Sequence, residues 1–309
     1  MAEDESPRLH KIKANLERRA LIYDLIRAFF RGKGFLEVET PLLVPAVAPE
    51  KYIAPFAVNG WFLSTSPEMH MKRLLAAGCA KIFQICHSFR KSERGQLHNP
   101  EFTMMEWYRV GADYMGIIQD TERLVSTLAD KLCSGSTIPY QGKKIDLAHP
   151  WPRITVRDAF LRSAGWDPFI RLDEERFEVD LVEKVIPSFD TGRPTVLLDY
   201  PVAMASLARL RPGSPPVAER AEVFIGGLEL ANAYSELNNA AEQEKRFEQE
   251  IETLKREGQR SVAMPQRFLE CLPDLPECGG IALGIDRLVM LFCDATSIDE
   301  VIAFPWDAV

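Results

Sequence analysis

The chain has 309 residues, 46% of them hydrophobic and 27% charged, with a formal net charge of −8. That composition can bury a substantial core, admits one or two domains, and argues against a large nucleic-acid footprint while leaving room for a local basic patch. No apolar run approaches membrane-spanning length and the leader Met1–Arg8 is too acidic for a signal peptide; six cysteines without a Cys-x-x-Cys pair and five scattered histidines point to neither zinc nor disulfides, but to reduced, mostly buried thiols in a cytoplasmic protein.

Apolar positions Leu16, Ala20, Leu21, Leu25, Ile26, Phe29 and Phe30 give residues 14–31 one helical face, ended by Gly32 and Gly34. Ser66-Pro67-Glu68 opens a second helix that runs through Leu75 and closes at Gly78. Strands at 81–90 and 100–110 enclose a charged loop bounded by Arg90 and His98. Side chains alternate along a strand, so Phe102, Glu106 and Tyr108 share a face, and Trp107 points away into the core. A ring, a carboxylate and a phenol beside a cationic loop make a floor for a nucleotide next to an amine; taken alone, the segment also fits an ordinary amphipathic hairpin.

A helix follows at 116–132, then a hairpin around Gln141-Gly142, helices at 155–164 and 173–186, and a strand at 195–199. Residues 201–220 hold four prolines and read as a loop over the site. If Gly226-Gly227 forms a two-residue turn, residues 222 and 231 pair, as do 224 and 229, which sets Glu222 and Glu229 on one face. The same register leaves Asn232 and Glu236 on the other face, and only a β-bulge would bring them round. Residues 240–257 form a highly charged helix with a solvated face. Last, the short apolar strand 279–284 breaks at Gly284 into a helix whose first turn holds Asp286 and Arg287, a setting that attracts phosphate through free N–H groups and a guanidinium fork. Alone, it equally fits a buried strand and helix with a surface arginine. Long hairpins with helices between them indicate an α+β fold with an antiparallel sheet.

Segments Phe89–Val110 and Gly279–Phe292 together resemble motifs 2 and 3 of class II aminoacyl-tRNA synthetases. Ala221–Asn238 (AEVFIGGLELANAYSELN) resembles the lysyl-tRNA synthetase segment between them, Leu-Glu-Val-Glu-Thr-Pro at 36–41 its motif 1, and Thr-Ser-Pro-Glu at 65–68 its amino-acid loop. The resemblance runs in order from Leu16 to Phe304. It implies the class II catalytic fold, an antiparallel sheet flanked by helices, as a single domain over residues 1–309. The leader and one helix ahead of motif 1 leave no room for the oligonucleotide-binding barrel that reads the anticodon, so none is expected. This arrangement is similar to the stand-alone paralogues of that family, which attach lysine, as (R)-β-lysine, to a lysine of translation elongation factor P.

The resemblance implies ATP-dependent activation of a lysine carboxylate as an adenylate, with Mg2+, in a site built from cations rather than a nucleophilic side chain. It assigns Arg90 to the carboxylate and α-phosphate, Arg287 to the γ-phosphate end, His98 to the phosphates and Phe102 to the adenine. Glu222, also an ATP contact, and Glu229 are the implied magnesium ligands. Glu106, Glu236 and Tyr108 are the implied partners of the side-chain ammonium, Glu68 of the other amine and Asn232 of the carboxylate. For Glu68 a simpler role, a helix-dipole partner in the first turn, competes. Ala282 stands where the family has glycine; its methyl crowds an α-amino acid and spares a β-amino acid, an effect of about 1–3 kcal/mol. Asn239 stands where aspartate is common, for no reason legible in the sequence. A protein lysine amine then attacks the adenylate, with no dedicated general base in view. A homodimer through motif 1 around Pro41 is expected, without tRNA or membrane as partners. The alternatives are a truncated synthetase charging tRNA and a non-catalytic regulatory paralogue; the presence of Arg90, Arg287, Glu222, Glu229 and Glu236 speaks against the second.

Overall fold

The computed structural model describes residues 5–258 and 262–309, so the first half of the expected polar leader lies outside the described residues. In chain order the first elements are α1 (Glu5–Gly32), β1 (Leu36–Glu37), β2 (Leu43–Val44), β3 (Ala57–Val58), β4 (Trp61–Leu63), α2 (Glu68–Ala76), β5 (Lys81–Phe89) and β6 (Glu101–Val110). Next come α3 (Tyr114–Cys133), β7 (Thr137–Tyr140), β8 (Lys143–Asp146), β9 (Arg153–Thr155), α4 (Val156–Ser163), α5 (Glu174–Asp180) and β10 (Thr195–Tyr200). The remainder is β11 (Leu210–Arg211), β12 (Val217–Ile225), β13 (Leu228–Ser235), α6 (Ala240–Arg256), α7 (Gln266–Leu269), β14 (Cys278–Gly284) and α8 (Ile285–Cys293). These elements gather into two compact units, one of Met1–Val110, Asn238–Pro276 and Leu283–Val309, the other of Gly111–Leu237 and Glu277–Ala282. Both are α+β with mainly antiparallel strands, as expected.

In the first unit, α1 buries Ile12, Ile22, Ile26 and Phe30 on one face: the last three follow at steps of four residues, and Ile12 lies about five whole turns before Phe30. The sequence face was set too wide: Ala20 and Leu21 point to solvent, and the half-buried Arg19 lies on the buried side instead. Helix and sheet meet where the Phe30 ring packs 5.0 Å from Phe83 and 5.1 Å from Trp107, which is fully buried. β1 runs parallel to β5, and β5 pairs antiparallel with β6. A small sheet, β2-β4-β3, packs its Val44 and Phe62 against Leu254 of α6.

The β6–α8 junction is fixed by a buried charge. Asp286 accepts from the Thr103 amide at 2.7 Å and from Arg19 at 2.6 Å, and Arg19 also donates to Thr103 Oγ1 and Tyr23. The neighbours in sequence, Phe102 and Arg287, are thereby held at set places on their elements. α6 starts at Asn239, whose side chain accepts from the Glu242 amide at 3.0 Å. Asparagine caps a helix about as well as aspartate, which accounts for the residue at this position.

In the second unit the strand order is β9-β10-β12-β13-β14, with β11 on the far end of β12; β9 is parallel to β10 and the other registered pairs are antiparallel. α3 packs on β12 and β13, and Phe160 of α4 stacks on Phe177 of α5 at 4.5 Å. Gly279 presses on α3 so closely that a Cβ would lie 2.7 Å from the Asp113 carbonyl oxygen, so the strand needs glycine there. The proline-rich loop is shorter than expected: it holds a turn at Val202–Met204 and β11, and β12 already begins at Val217. Of the six cysteines only Cys278 is fully buried; the other thiols are half-buried, and all are free.

Candidate functional site

The β5–β6 register pairs Gln84 with Glu106, Cys86 with Met104 and Ser88 with Phe102, so one face of this hairpin carries all six side chains together with Tyr108. Glu106 is 1% exposed, and both its oxygens accept from hydroxyls: Ser66 Oγ donates to Oε1 and Tyr108 to Oε2, each at 2.6 Å. Burial first, and the nearby Glu68 second, push its carboxyl up to about 7 despite these donors. The same burial, with Glu106 across the ladder, pushes the Cys86 thiol up to about 12.

Glu68 opens α2, where its amide donates to Ser66 Oγ at 3.0 Å. Its carboxylate is more than a dipole partner, because Lys72 one turn on donates to Oε1 from a fully buried position. Lys72 was not singled out from sequence. The signal was there in part, as a Glu-to-Lys pair at i, i+4, but such pairs are normally solvated. What made it notable, its burial, is set by α7, whose Phe268 ring lies 5.8 Å from the ammonium.

At the other end of the hairpin, Arg90 closes the ladder through its amide to the Pro100 carbonyl, 2.9 Å. Its guanidinium lies 5.1 Å from the Phe102 ring centre and makes a long contact, 3.4 Å, to Glu93; its buried Nε has no partner among the described residues. His98 Nε2 stands 2.7 Å from an Arg287 nitrogen. Arginine can only donate, so the imidazole accepts and is neutral, in keeping with a pKa lowered by burial and by Arg287. The loop between them is pinned: Arg94 binds Asp299 and Asp307 at 2.9 and 2.6 Å, and the Ile298 amide donates to the Gln96 carbonyl at 2.9 Å.

In the second unit, Gly226 and Gly227 form the turn at positive φ, and Phe224 pairs with Glu229 as expected. Beyond that pair the register slips by one residue: Val223 faces Ala231 and Glu222 faces Asn232, not Ala231. The extra residue is Leu230, a β-bulge. It corrects the expected split, because Asn232, and by alternation Tyr234 and Glu236, come round to the face that carries Glu222 and Glu229.

Glu222 is 5% exposed and binds Arg220 at 2.6 Å. Arg220, also missed in the sequence, lies 4.5 Å from the Tyr200 ring centre and 5.8 Å from that of Tyr234, and donates to the Met204 carbonyl at 2.8 Å. Burial raises the Glu222 pKa, Arg220 works against that rise, and Glu229 adds to it. Burial alone would lower the Arg220 pKa, but Tyr234, Glu222 and Tyr200 raise it, so the guanidinium stays charged. Glu229 is exposed. Asn232 donates to the Tyr234 hydroxyl at 3.1 Å, while its carbonyl oxygen has no partner among the described residues. Glu236 is buried, its amide bound to the Cys278 carbonyl at 2.9 Å, and Ala282 lies partly buried on β14.

Among the described residues no three His, Cys, Asp or Glu side chains gather into a metal cage. Glu222 and Glu229 on one strand face nevertheless fit a magnesium ion that completes its shell with water and phosphate oxygens.

The profile of the class II tRNA synthetases (D, K and N) matches residues 6–308. The chain is 38% identical over 316 residues to a lysine–tRNA ligase of Dehalococcoides mccartyi, covering 93% of this chain and 63% of that relative. It is 37% identical over 326 residues to the elongation factor P–(R)-beta-lysine ligase of Salmonella typhi, covering 95% of each. A lysine–tRNA ligase of Moorella thermoacetica is 36% identical, with 96% of this chain and 65% of the relative covered. The chain thus spans less than two thirds of the lysine–tRNA ligases it matches.

Proposed function

We propose, for a chain that belongs to the class II tRNA synthetase family (D, K and N), that it is an ATP-dependent ligase for a translation factor. In this reading it activates lysine, as (R)-β-lysine, to an aminoacyl-adenylate with release of pyrophosphate, and passes the acyl group to a lysine amine of elongation factor P with release of AMP and a proton. The observation that carries the choice is the match of 95% of this chain to 95% of the Salmonella typhi ligase of that name.

Residues 1–309 act as one catalytic domain. Arg90 binds the carboxylate and the α-phosphate, Phe102 stacks on the adenine, and Arg287 takes the γ-phosphate end, with neutral His98 fixing its orientation. Charge develops on the phosphorus as the carboxylate attacks, and fixed guanidinium groups stabilise it without reorganising. Glu222 and Glu229 would hold Mg2+, which when bound neutralises phosphate charge. Glu106, with Tyr108, and Glu236 accept the side-chain ammonium, Glu68 the second amine, and Asn232 the carboxylate. A buried carboxyl that titrates near neutrality suits a cation that arrives and leaves. Exposed Leu42, Leu43, Val58 and Trp61 on the small sheet and its approach provide an apolar surface for a second copy, and light scattering showing only monomer at micromolar concentration would remove the dimer from this account.

ATP–pyrophosphate exchange stimulated by (R)-β-lysine or L-α-lysine tests the activation step. Labelled lysine offered with both elongation factor P and bulk tRNA tests the acceptor. Label on tRNA alone favours the second reading, a tRNA-charging enzyme, which the identity to lysine–tRNA ligases supports.

A further inference from the structure

The pocket assigned to the substrate's amines already contains an amine. Lys72 is 0% exposed, a state a lysine tolerates only when paired. Its ammonium is bound to Glu68 Oε1 and lies over the Phe268 ring. Glu68 is tied in turn through its amide to Ser66 Oγ, and that hydroxyl donates to Glu106. The Glu68 carboxylate therefore holds the cation and Glu106 accepts from the hydroxyl, with Ser66 linking the Glu68 backbone to the Glu106 carboxylate. The charged and titratable groups that face Glu106 within this unit are Glu68 and Lys72 from α2, Tyr108 on its own strand and Cys86 across the ladder. Of these only Lys72 is cationic.

We infer that Lys72 is a positioning residue of the ammonium pocket: it fixes Glu68 through one oxygen and offsets the charge that Glu68 sets against Glu106, so that Glu106 can ionise to receive the incoming side-chain ammonium. The inference rests on the reading of this pocket as a lysine site. Without Lys72, Glu68 and Glu106 are two acids with no counter-charge between them, and like charges at short range oppose joint ionisation. Glu106 then gives up its proton only at higher pH, and Glu68 loses the contact that sets its rotamer. No covalent bond to the ligand forms in this step; the Glu106 O–H gives its proton to water, and the ligand ammonium takes its place as an ion pair.

The experiment compares the wild type, Lys72→Met and the double variant Glu68→Gln/Lys72→Met in ATP–pyrophosphate exchange from pH 6 to 9. In Lys72→Met the KM for lysine rises about fivefold at pH 7, the loss of ionised fraction that follows from one pKa unit on Glu106, and its pH dependence moves to the alkaline side by about one pH unit. The KM for ATP stays within about twofold, since the phosphate arginines lie on other elements. The double variant deletes both charges, so it regains the wild-type pH dependence even though affinity stays reduced. A profile unmoved in Lys72→Met, a double variant that stays displaced, or KM values for ATP and lysine that rise together would overturn the inference. Should Lys72→Met fail to fold, the neutral double variant alone decides, by matching the wild-type profile or departing from it. A second readout does not depend on the substrate: the Glu106 carboxyl resonance of carbon-13 glutamate-labelled protein, assigned with Glu106→Gln, titrates at higher pH in Lys72→Met than in the wild type. If that shift occurs and no exchange with lysine is found in any form, the ligase reading fails while the charge coupling stands; no shift overturns the coupling itself.

Discussion

Glu106 and Glu222 are both almost fully buried and both have their carboxyl pKa raised by burial, yet they are stabilised by different chemistry. Glu106 rests between two hydroxyls, Ser66 and Tyr108, which favour its charged form without cancelling the charge. Glu222 rests against a guanidinium that is itself packed beside two tyrosine rings. A hydroxyl pair leaves a carboxyl free to titrate and to accept a cation from outside. An arginine supplies a permanent counter-charge, so the acid next to it is held as an oxygen donor of fixed geometry. Two buried acids are thus held by different chemistry, in keeping with the two tasks proposed for them, ammonium recognition and sharing a metal ion with phosphate.

The sharpest way to break this contrast is to remove the guanidinium. Arg220→Met leaves Glu222 buried without its cation and should cost about 3–5 kcal/mol of stability, read as a lower midpoint in urea unfolding. Tyr108→Phe, by comparison, removes only a neutral donor and should cost about 1–3 kcal/mol, with lysine KM raised and ATP KM unmoved. If the two variants lose equal stability, hydroxyl and guanidinium are not distinct solutions.

The acidity of Glu106 sharpens the contrast further. Its folded pKa is raised from 4.5 to about 7, so stability that is fully present below pH 4.5 is lost progressively as pH rises to 7, and above it the empty pocket carries the full cost of an ionised Glu106. A bound ammonium offsets that cost, so lysine should bind better on the alkaline side. Because only the ionised fraction is competent, KM for lysine should fall about tenfold between pH 6 and pH 8. A KM flat over that range would mean that Glu106 does not receive the ammonium.

Ala282→Gly tests the proposed steric effect and changes no charge. It should improve use of L-α-lysine relative to (R)-β-lysine by about 1–3 kcal/mol in relative kcat/KM, and an unchanged ratio would remove the steric argument. The smallest effect belongs outside both pockets: Asn239→Ala removes the cap of α6 and should cost about 1 kcal/mol, while Asn239→Asp should be close to neutral in the same thermal melt.

Much of this arrangement was legible in the chain. Helix ends at Gly34 and Gly78, the Gln141-Gly142 and Gly226-Gly227 turns and the break at Gly284 follow from residues whose backbone preferences are local. Alternation alone set Phe102, Glu106 and Tyr108 on one face and Trp107 in the core. What escaped was tertiary. The bulge at Leu230 carries no glycine or proline to announce it, yet it decides which face Asn232 and Glu236 occupy. The α1 face was blurred because apolar residues sit on both its sides, and contacts with Phe83 and Trp107 choose between them. Lys72 and Arg220 read as surface charges until their partners cover them. The proline run hid four strand residues, Val217 to Arg220, including the arginine on which Glu222 depends.

The central claim is met most directly by the intact mass of elongation factor P after incubation with this protein, ATP, magnesium and each lysine isomer in turn. The account predicts a gain of one lysyl unit, larger in yield with (R)-β-lysine and absent with Arg90→Ala. An unmodified mass, with lysine-dependent ATP–pyrophosphate exchange still running, would contradict the acceptor and leave tRNA in its place.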